Sequence, residues 1–418
     1  MRRAEFDRRL RHELHRARPP RASDAERRAW HVVRAAHAAR VPAREAHRAR
    51  RFALAAAAAA LALGALVLTP AGAKVGDWIG DVVDPPDTTS VSLGPLPAKG
   101  RLLVVADSGL WIVQDDGARR RLGRFRDATW SPGGLFVAAA RGRELVALEP
   151  DGDERWARPA PGRVSVPRWS PDGYRIAYRS GHDLWIVTGD NDARWRLARG
   201  VRATPPAWKP VREPERQVVA FAAGDRVRIV EADAPGRPLG VTPPGPPPRE
   251  IWWTEGGRRL VTVASRGVRV HDSRGRLLRT IALPRGRVAK GSAMAPGGRR
   301  LAIIARRPAG RSSELLVIRL DRRASPRDLL SMPGSFEGLT WSIDGRLLVL
   351  GLPDSGQWLF VRPRRSGGLE SVERVRRRFA GGVEPRTGAF PRPAGWCYAQ
   401  PANRTASGQP PCSSGSAP

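Results

Sequence analysis

The sequence predicts an all-β protein built from about seven repeats of a four-stranded unit. Three observations predict it. An anchor motif recurs at a near-constant step, short β-branched and aromatic runs follow each anchor, and Gly-rich turn signals separate the runs. The anchors are Trp130, Trp169, Trp208, Trp253, Met294 and Trp341, at steps of 39, 39, 45, 41 and 47 residues. That step matches one blade of a β-propeller.

The units justify themselves in order. Trp130-Ser131-Pro132-Gly133-Gly134 precedes the runs Leu135–Ala138 and Glu144–Leu148. Trp169-Ser170-Pro171-Asp172-Gly173 precedes Tyr174–Tyr178 and Asp183–Val187. Trp208-Lys209-Pro210 precedes Val218–Phe221 and Val227–Val230, and Trp253–Gly257 leads to Leu260–Val263. Met294–Gly298 leads to Leu301–Ile304, and Trp341-Ser342-Ile343-Asp344-Gly345 leads to Leu347–Leu350 and Trp358–Val361. Such runs are strand formers. Asp-Gly and Gly-Gly supply the positive φ angles of tight turns, and the Pro sits where no ladder donor is lost.

A further unit precedes the first anchor. Leu102–Val105 and Leu110–Val113 form the same strand pair without a leading Trp element. Residues 100–381 hold seven units of about 40 residues, with six or eight as the alternatives. The first unit lacks its first strand, and the tail around Ala394-Gly395-Trp396-Cys397-Tyr398 is the candidate to supply it.

The Trp169–Gly173 box, followed by Ile176-Ala177-Tyr178, resembles the WD-like propeller repeat of TolB and of prolyl-oligopeptidase propellers. The box is intact only there; the other units keep the Trp (or Met294), the Pro or the final Gly in part. The resemblance covers about two thirds of the chain. It implies a propeller in which Trp130, Trp169, Trp208, Trp253 and Trp341 pack between blades, and Pro171, Asp172, Gly173 and Gly345 are structural members of the repeat. It implies little about activity, because propellers host many. Prolyl-oligopeptidase relatives carry catalysis on a separate α/β-hydrolase domain, for which this chain has no room.

The N-terminal quarter is different. Phe52 to Leu68 is an uncharged, Ala- and Leu-rich run of 17 residues, at the short end for crossing a bilayer. Residues 1–51 contain 16 arginines and six acids, and residues 74–99 two lysines and four aspartates. This asymmetry predicts residues 1–51 as a cytoplasmic basic segment, 52–69 as one membrane-spanning helix and the remainder outside the cell membrane. A cleaved signal ending at Ala71-Gly72-Ala73 is the alternative. Ser23-Asp24-Ala25-Glu26 has capping-box spacing and opens a basic amphipathic helix to about Arg40. Residues 70–99, with Asp84-Pro85-Pro86-Asp87 and Pro95-Leu96-Pro97, read as a semi-rigid juxtamembrane linker. Residues 382–418 form a Pro/Gly-rich tail, whose Cys397 and Cys412 predict a disulfide on an exported domain.

The formal charge of +33 points first to nucleic acid. Only four of the 73 basic residues are lysines, and the excess is spread along the chain. This is the signature of a GC-rich bacterial genome, so no nucleic-acid partner is expected. Five of the seven histidines lie in residues 1–51; beyond the apolar run only His182 and His271 remain. No Gly-x-Ser-x-Gly elbow, Walker loop or Cys-x-x-Cys pair is present. Asp151/Asp153 and Asp190/Asp192 read as turn caps. No catalytic residue, metal site or cofactor is expected. The expected function is a membrane-anchored extracytoplasmic module that binds or scaffolds a protein, peptide or envelope polymer. The alternatives are a transmembrane regulator laid out like an anti-sigma factor, and a propeller hydrolase or lyase.

Overall fold

The computed structural model describes residues 93–418 except 211–215, 235, 237, 309, 322–324, 364–367, 380–388, 399–411 and 416–418. The chain divides into two compact units, Met1–Thr88 and Thr89–Pro418. The predicted cytoplasmic segment, membrane-spanning helix and most of the linker lie outside the described residues. Among the described residues no helix is long and apolar enough to cross a membrane.

The described strands form seven antiparallel sheets, one per predicted repeat. Blade 1 begins at Arg101, and blades 2 to 7 open with the inner strands Asp127–Trp130, Val164–Trp169, Ala207–Trp208, Glu250–Trp253, Val288–Met294 and Glu337–Trp341. Each of these strands ends on a predicted anchor. The three strands that follow it pair in sequence order, inner to outer. Burial peaks at the second strand and falls away at the outermost. The second strands Val137–Arg141, Arg259–Ala264 and Leu348–Leu352 are buried almost throughout, because neighbouring blades cover both faces. Outer strands such as Arg119–Gly123, Arg194–Ala198 and Leu277–Ala282 are mostly exposed or half-buried, and arginines accumulate there.

Blade 1 is assembled from both ends of the unit. Arg101–Ala106, Gly109–Val113 and Arg119–Gly123 supply three strands, and Arg392–Cys397 supplies the inner one. The register places Leu102 opposite Trp396 and Leu103 opposite Gly395, with a slip before Val104. This is the strand that the missing first element required. Trp396 is fully buried, meets Phe360 of blade 7 edge-on at 6.1 Å and donates its indole N–H to the Lys99 carbonyl at 3.0 Å. Gly100 has φ +122°, and a Cβ there would lie 2.3 Å from the Cys397 carbonyl oxygen, so only glycine lets the first strand approach the last.

The tail then turns back. Cys397 and Cys412 are disulfide-bonded, and Ser413–Ser414 adds a short strand to the inner edge of Arg392–Cys397. Ser413 Oγ donates to the Trp341 carbonyl at 2.6 Å, tying the tail to blade 7. At the other end, Leu93 and Leu96, read from sequence as linker, are buried in the cluster that contains Leu102, Trp358 and Trp396. The Leu93 N–H donates to the Gly117 carbonyl and that of Leu96 to the Asp115 carbonyl.

Candidate functional site

The recurrent box has a local cause. It is the turn from the inner strand to the second strand. In blade 3 the Ser170 N–H donates to the Arg175 carbonyl (2.8 Å), and Ser170 Oγ accepts from the Arg175 N–H (2.9 Å). Asp172 Oδ1 accepts from the Tyr174 N–H at 3.0 Å, and Gly173 takes φ +75°. Blade 7 repeats the arrangement with Ser342, Asp344 and Gly345, whose φ is +66°. Thr254 replaces the serine in blade 5, accepting from the Arg259 N–H at 3.1 Å. Pro171 occupies a turn position with no ladder bond to lose.

The anchor tryptophans staple blade to blade. Trp208 Nε1 donates to the Arg168 carbonyl (2.8 Å), Trp253 Nε1 to Ala207 (3.1 Å) and Trp341 Nε1 to Ala293 (3.0 Å). Each acceptor immediately precedes the anchor of the preceding blade. Trp169 stacks on Phe136 at 6.4 Å. The Arg101 guanidinium covers Trp130 at 4.8 Å and donates to the Gly134 carbonyl; Arg300 treats Trp341 and Gly345 the same way.

These turns and inner-strand ends surround a cavity of about 1540 Å³ that opens on the turn side. Its walls include Trp130, Trp169, Trp208, Trp253, Pro132, Pro171, Pro210 and Pro296, and its mouth carries Tyr174, Lys209, Glu255 and Asp344. The two charged inner-strand side chains that line it are Arg168 and Glu250. Arg168 also borders a second void of about 10 Å³, shared with Asp127, Arg392 and Gly415. That is close to the space of one water.

Arg168 is aimed by a distortion. The inner strand of blade 3 slips register between Ser165 and Arg168. Within the slip, Val166 adopts φ 47°, a conformation unusual for a β-branched residue. The buried carboxylate of Asp127, on blade 2, accepts the Val166 N–H at 2.7 Å and holds the distortion. Burial pushes the Asp127 carboxyl up, while Arg168, the Val166 N–H and Arg392 pull it back. Burial lowers the Arg168 guanidinium, opposed by Asp127 and Glu250. Arg168 spends one N–H on the Pro167 carbonyl at 2.8 Å. Arg168 stays half-buried, because it borders the open cavity.

Glu250 is enclosed on blade 5. It is hydrogen-bonded to Ser292 Oγ of blade 6, and Trp252 Nε1 donates to the same serine at 2.9 Å and to Glu250 Oε2 at 3.4 Å. Burial raises its carboxyl to about 7, against the pull of Ser292, Trp252 and Arg168. The carboxyl therefore binds its proton more tightly in the folded chain than in the unfolded one, whose ordinary value is 4.5. The stability this contributes is full below about 4.5 and is lost as pH rises through about 7. The loss at this group is about 3 kcal/mol. Urea melts of wild type and Glu250→Gln between pH 5 and 8 check it; the variant is expected to lose most of the downward slope.

The histidines lie elsewhere. His271 is buried in blade 5, its Nε2 3.3 Å from Thr262 Oγ1 and its Nδ1 3.2 Å from the Gly275 carbonyl, with its pKa lowered chiefly by burial. His182 sits on the exposed turn between the second and third strands of blade 3, 3.1 Å from the Arg179 guanidinium. Neither lines the cavity. Asp151 and Asp190 accept the N–H groups of Asp153 and Asp192, as turn caps do. Among the described residues no group of His, Cys, Asp and Glu has the makings of a metal site. Asp127, Arg168, Glu250 and Arg392 were not found from sequence. A signal exists: Asp127 and Glu250 stand three residues before their anchor and Arg168 one before, each the single charge on a short strand that is otherwise neutral.

No protein-family model matches the chain, and no curated protein matches its sequence. Solved structures share its architecture. Kluyveromyces lactis Hsv2 aligns at 11% identity with a TM-score of 0.50, covering 66% of this chain and 96% of that one. The β-propeller domain of Myceliophteria thermophila Cps50 (Swd1) aligns at 15% identity and TM-score 0.47, covering 59% and 85%. Kuenenia stuttgartiensis hydrazine synthase aligns at 13% and 0.47, covering 56% and 76%. At these identities the likeness to Hsv2 speaks to fold alone. The class the fold defines is the seven-bladed β-propeller of four-stranded blades.

Proposed function

We propose that the chain is a membrane-anchored, extracytoplasmic binding module whose propeller receives a protein, peptide or envelope polymer at its turn-side face. The observation that carries the reading is the open cavity of about 1540 Å³, walled by tryptophan and proline from successive blades. Wide apolar concavities with a few convergent polar groups are the usual form of binding sites. Binding is favoured over a hydrolase or lyase reaction because both histidines of the Thr89–Pro418 unit stand away from the cavity. The anchor is supported by the apolar run Phe52 to Leu68 and its charged flanks, and the outside location by the Cys397–Cys412 disulfide. The Trp169–Gly173 box supports placing the repeats near TolB-like propellers. The basic helix predicted from Ser23 supports a second reading, in which residues 1–51 relay occupancy of the propeller to a cytoplasmic partner.

The test uses the full chain in the cells that make it. A photo-crosslinking residue replaces Tyr174 at the cavity mouth or Leu278, which is 45% exposed on an outer strand. Discrete adducts are expected from position 174 and none from 278; the reverse pattern rejects the turn-side face. Protease added to spheroplasts should digest the propeller and spare an N-terminal tag. Protection of the propeller rejects the extracytoplasmic placement.

A further inference from the structure

We propose that the turn-side cavity is a receptor for a single carboxylate group, seated on the Arg168 guanidinium with Glu250 as its second polar contact. This rests on the binding-module reading and names the chemistry of its ligand. Four observations carry it. Arg168 is the one guanidinium on the inner strands that lines the wide cavity, and among the described residues no carboxylate forms an ion pair with it. It offers a planar fork of donors, with one N–H used on its own strand. Its aim is built, through the Val166 distortion and the Asp127 bond that holds it. Distortions of this kind concentrate at functional sites, where they re-aim a side chain.

The charge balance selects the ligand. Arg168 stands beside two acids, Asp127 and Glu250, and the cation behind it, Arg392, beside Asp127 and Glu337. The acids already beside the two guanidinium groups favour a singly charged ligand over a doubly charged one. Glu250 is neutral in the lower part of the physiological range, and a neutral carboxyl accommodates an incoming carboxylate that an ionised one would repel. The groups around Glu250 are Ser292, Trp252 and Arg168, so no other acid competes for its proton at close range. The walls above the floor are aromatic and proline surface, suited to an apolar or aromatic body attached to the carboxylate. A small organic acid and the C-terminal carboxylate of a peptide share this chemistry.

The experiment is calorimetric titration of the detergent-solubilised full chain. The probes are benzoate, benzamide, phenyl phosphate, and N-acetylphenylalanine with its amide. Benzoate and N-acetylphenylalanine are expected to saturate one site, and both amides to bind at least tenfold more weakly. The tighter of the two acids assigns the source: benzoate a small acid, N-acetylphenylalanine a peptide terminus. Arg168→Gln is expected to weaken binding at least tenfold. Arg168→Lys, which keeps the charge and loses the fork, should give an intermediate loss and serves if the glutamine variant does not fold. Arg226→Gln, on an exposed strand start, should change nothing. Wild-type affinity should fall between pH 6 and 8, and Glu250→Gln should flatten that dependence. Equal binding of benzamide, tighter binding of phenyl phosphate, or unaltered affinity in folded Arg168 variants overturns the proposal. Such a failure alongside adducts at position 174 would leave the binding-module reading standing. Carboxylate binding without those adducts would reject the macromolecular partner alone.

Discussion

A chain ending at Pro391 is expected to lose cooperative folding, because the inner strand of blade 1 comes from beyond that point. Removing Arg392–Cys397 unpairs one edge of Arg101–Ala106, every residue of which is buried. Unpaired buried backbone groups cost about 1–3 kcal/mol each. The truncation also deletes Trp396, which is 0% exposed and closes the cluster joining blade 1 to blade 7. Several such losses together exceed the roughly 5–15 kcal/mol by which a domain is stable. Trp396→Ala isolates the side chain. A fully buried aromatic truncated to alanine costs about 3–5 kcal/mol, and the Lys99 carbonyl loses its donor. Far-UV circular dichroism and urea melts check both. A sharp, wild-type-like transition in the truncated chain would mean that the ring does not need its C-terminal strand.

Trp341→Ala is expected to be the most damaging substitution among the anchors. Its side chain is 0% exposed, whereas Trp169 and Trp208 are each at 8%. It packs within the cluster that joins blades 6 and 7, donates across the blade boundary to the Ala293 carbonyl and lies under the Arg300 guanidinium at 4.8 Å. Loss of the ring costs about 3–5 kcal/mol, and the orphaned carbonyl adds about 1 kcal/mol or more. Trp208→Ala, which also loses one interblade hydrogen bond, should cost less. Urea melts of both variants measure the difference; a smaller loss at 341 than at 208 would contradict the staple account.

The repeat was legible in sequence because its signals are strong and local. The Ser-x-Asp-Gly turn recurs because one serine hydroxyl and one aspartate close the same backbone loop in blades 3 and 7. The second strands read as continuous apolar runs because two neighbouring blades cover them. The outer strands were not legible. Arg119–Gly123 and Arg194–Ala198 expose arginines on a surface that needs no apolar pattern, so nothing separates them from loop. The closing strand was legible by its absence, since the first unit lacked an anchor and the tail held an unclaimed Trp396. The linker assignment of Leu93 and Leu96 missed their burial, because two leucines among Pro and Gly show no period. The channel floor escaped notice for a different reason. Asp127, Arg168, Glu250 and Arg392 come from four blades, spread over 265 residues, and only ring closure gathers them.

The binding claim is tested most directly by amide hydrogen exchange of the full-length protein in lysates of the cells that make it, compared with the same protein after purification. The account predicts that the protein among its cellular partners gains protection in the turns that face the cavity, Ser131–Phe136, Ser170–Arg175 and Thr254–Arg259, while Leu277–Ala282 exchanges equally in both. Protection gained on the outer strands, with the turns unchanged, would contradict it.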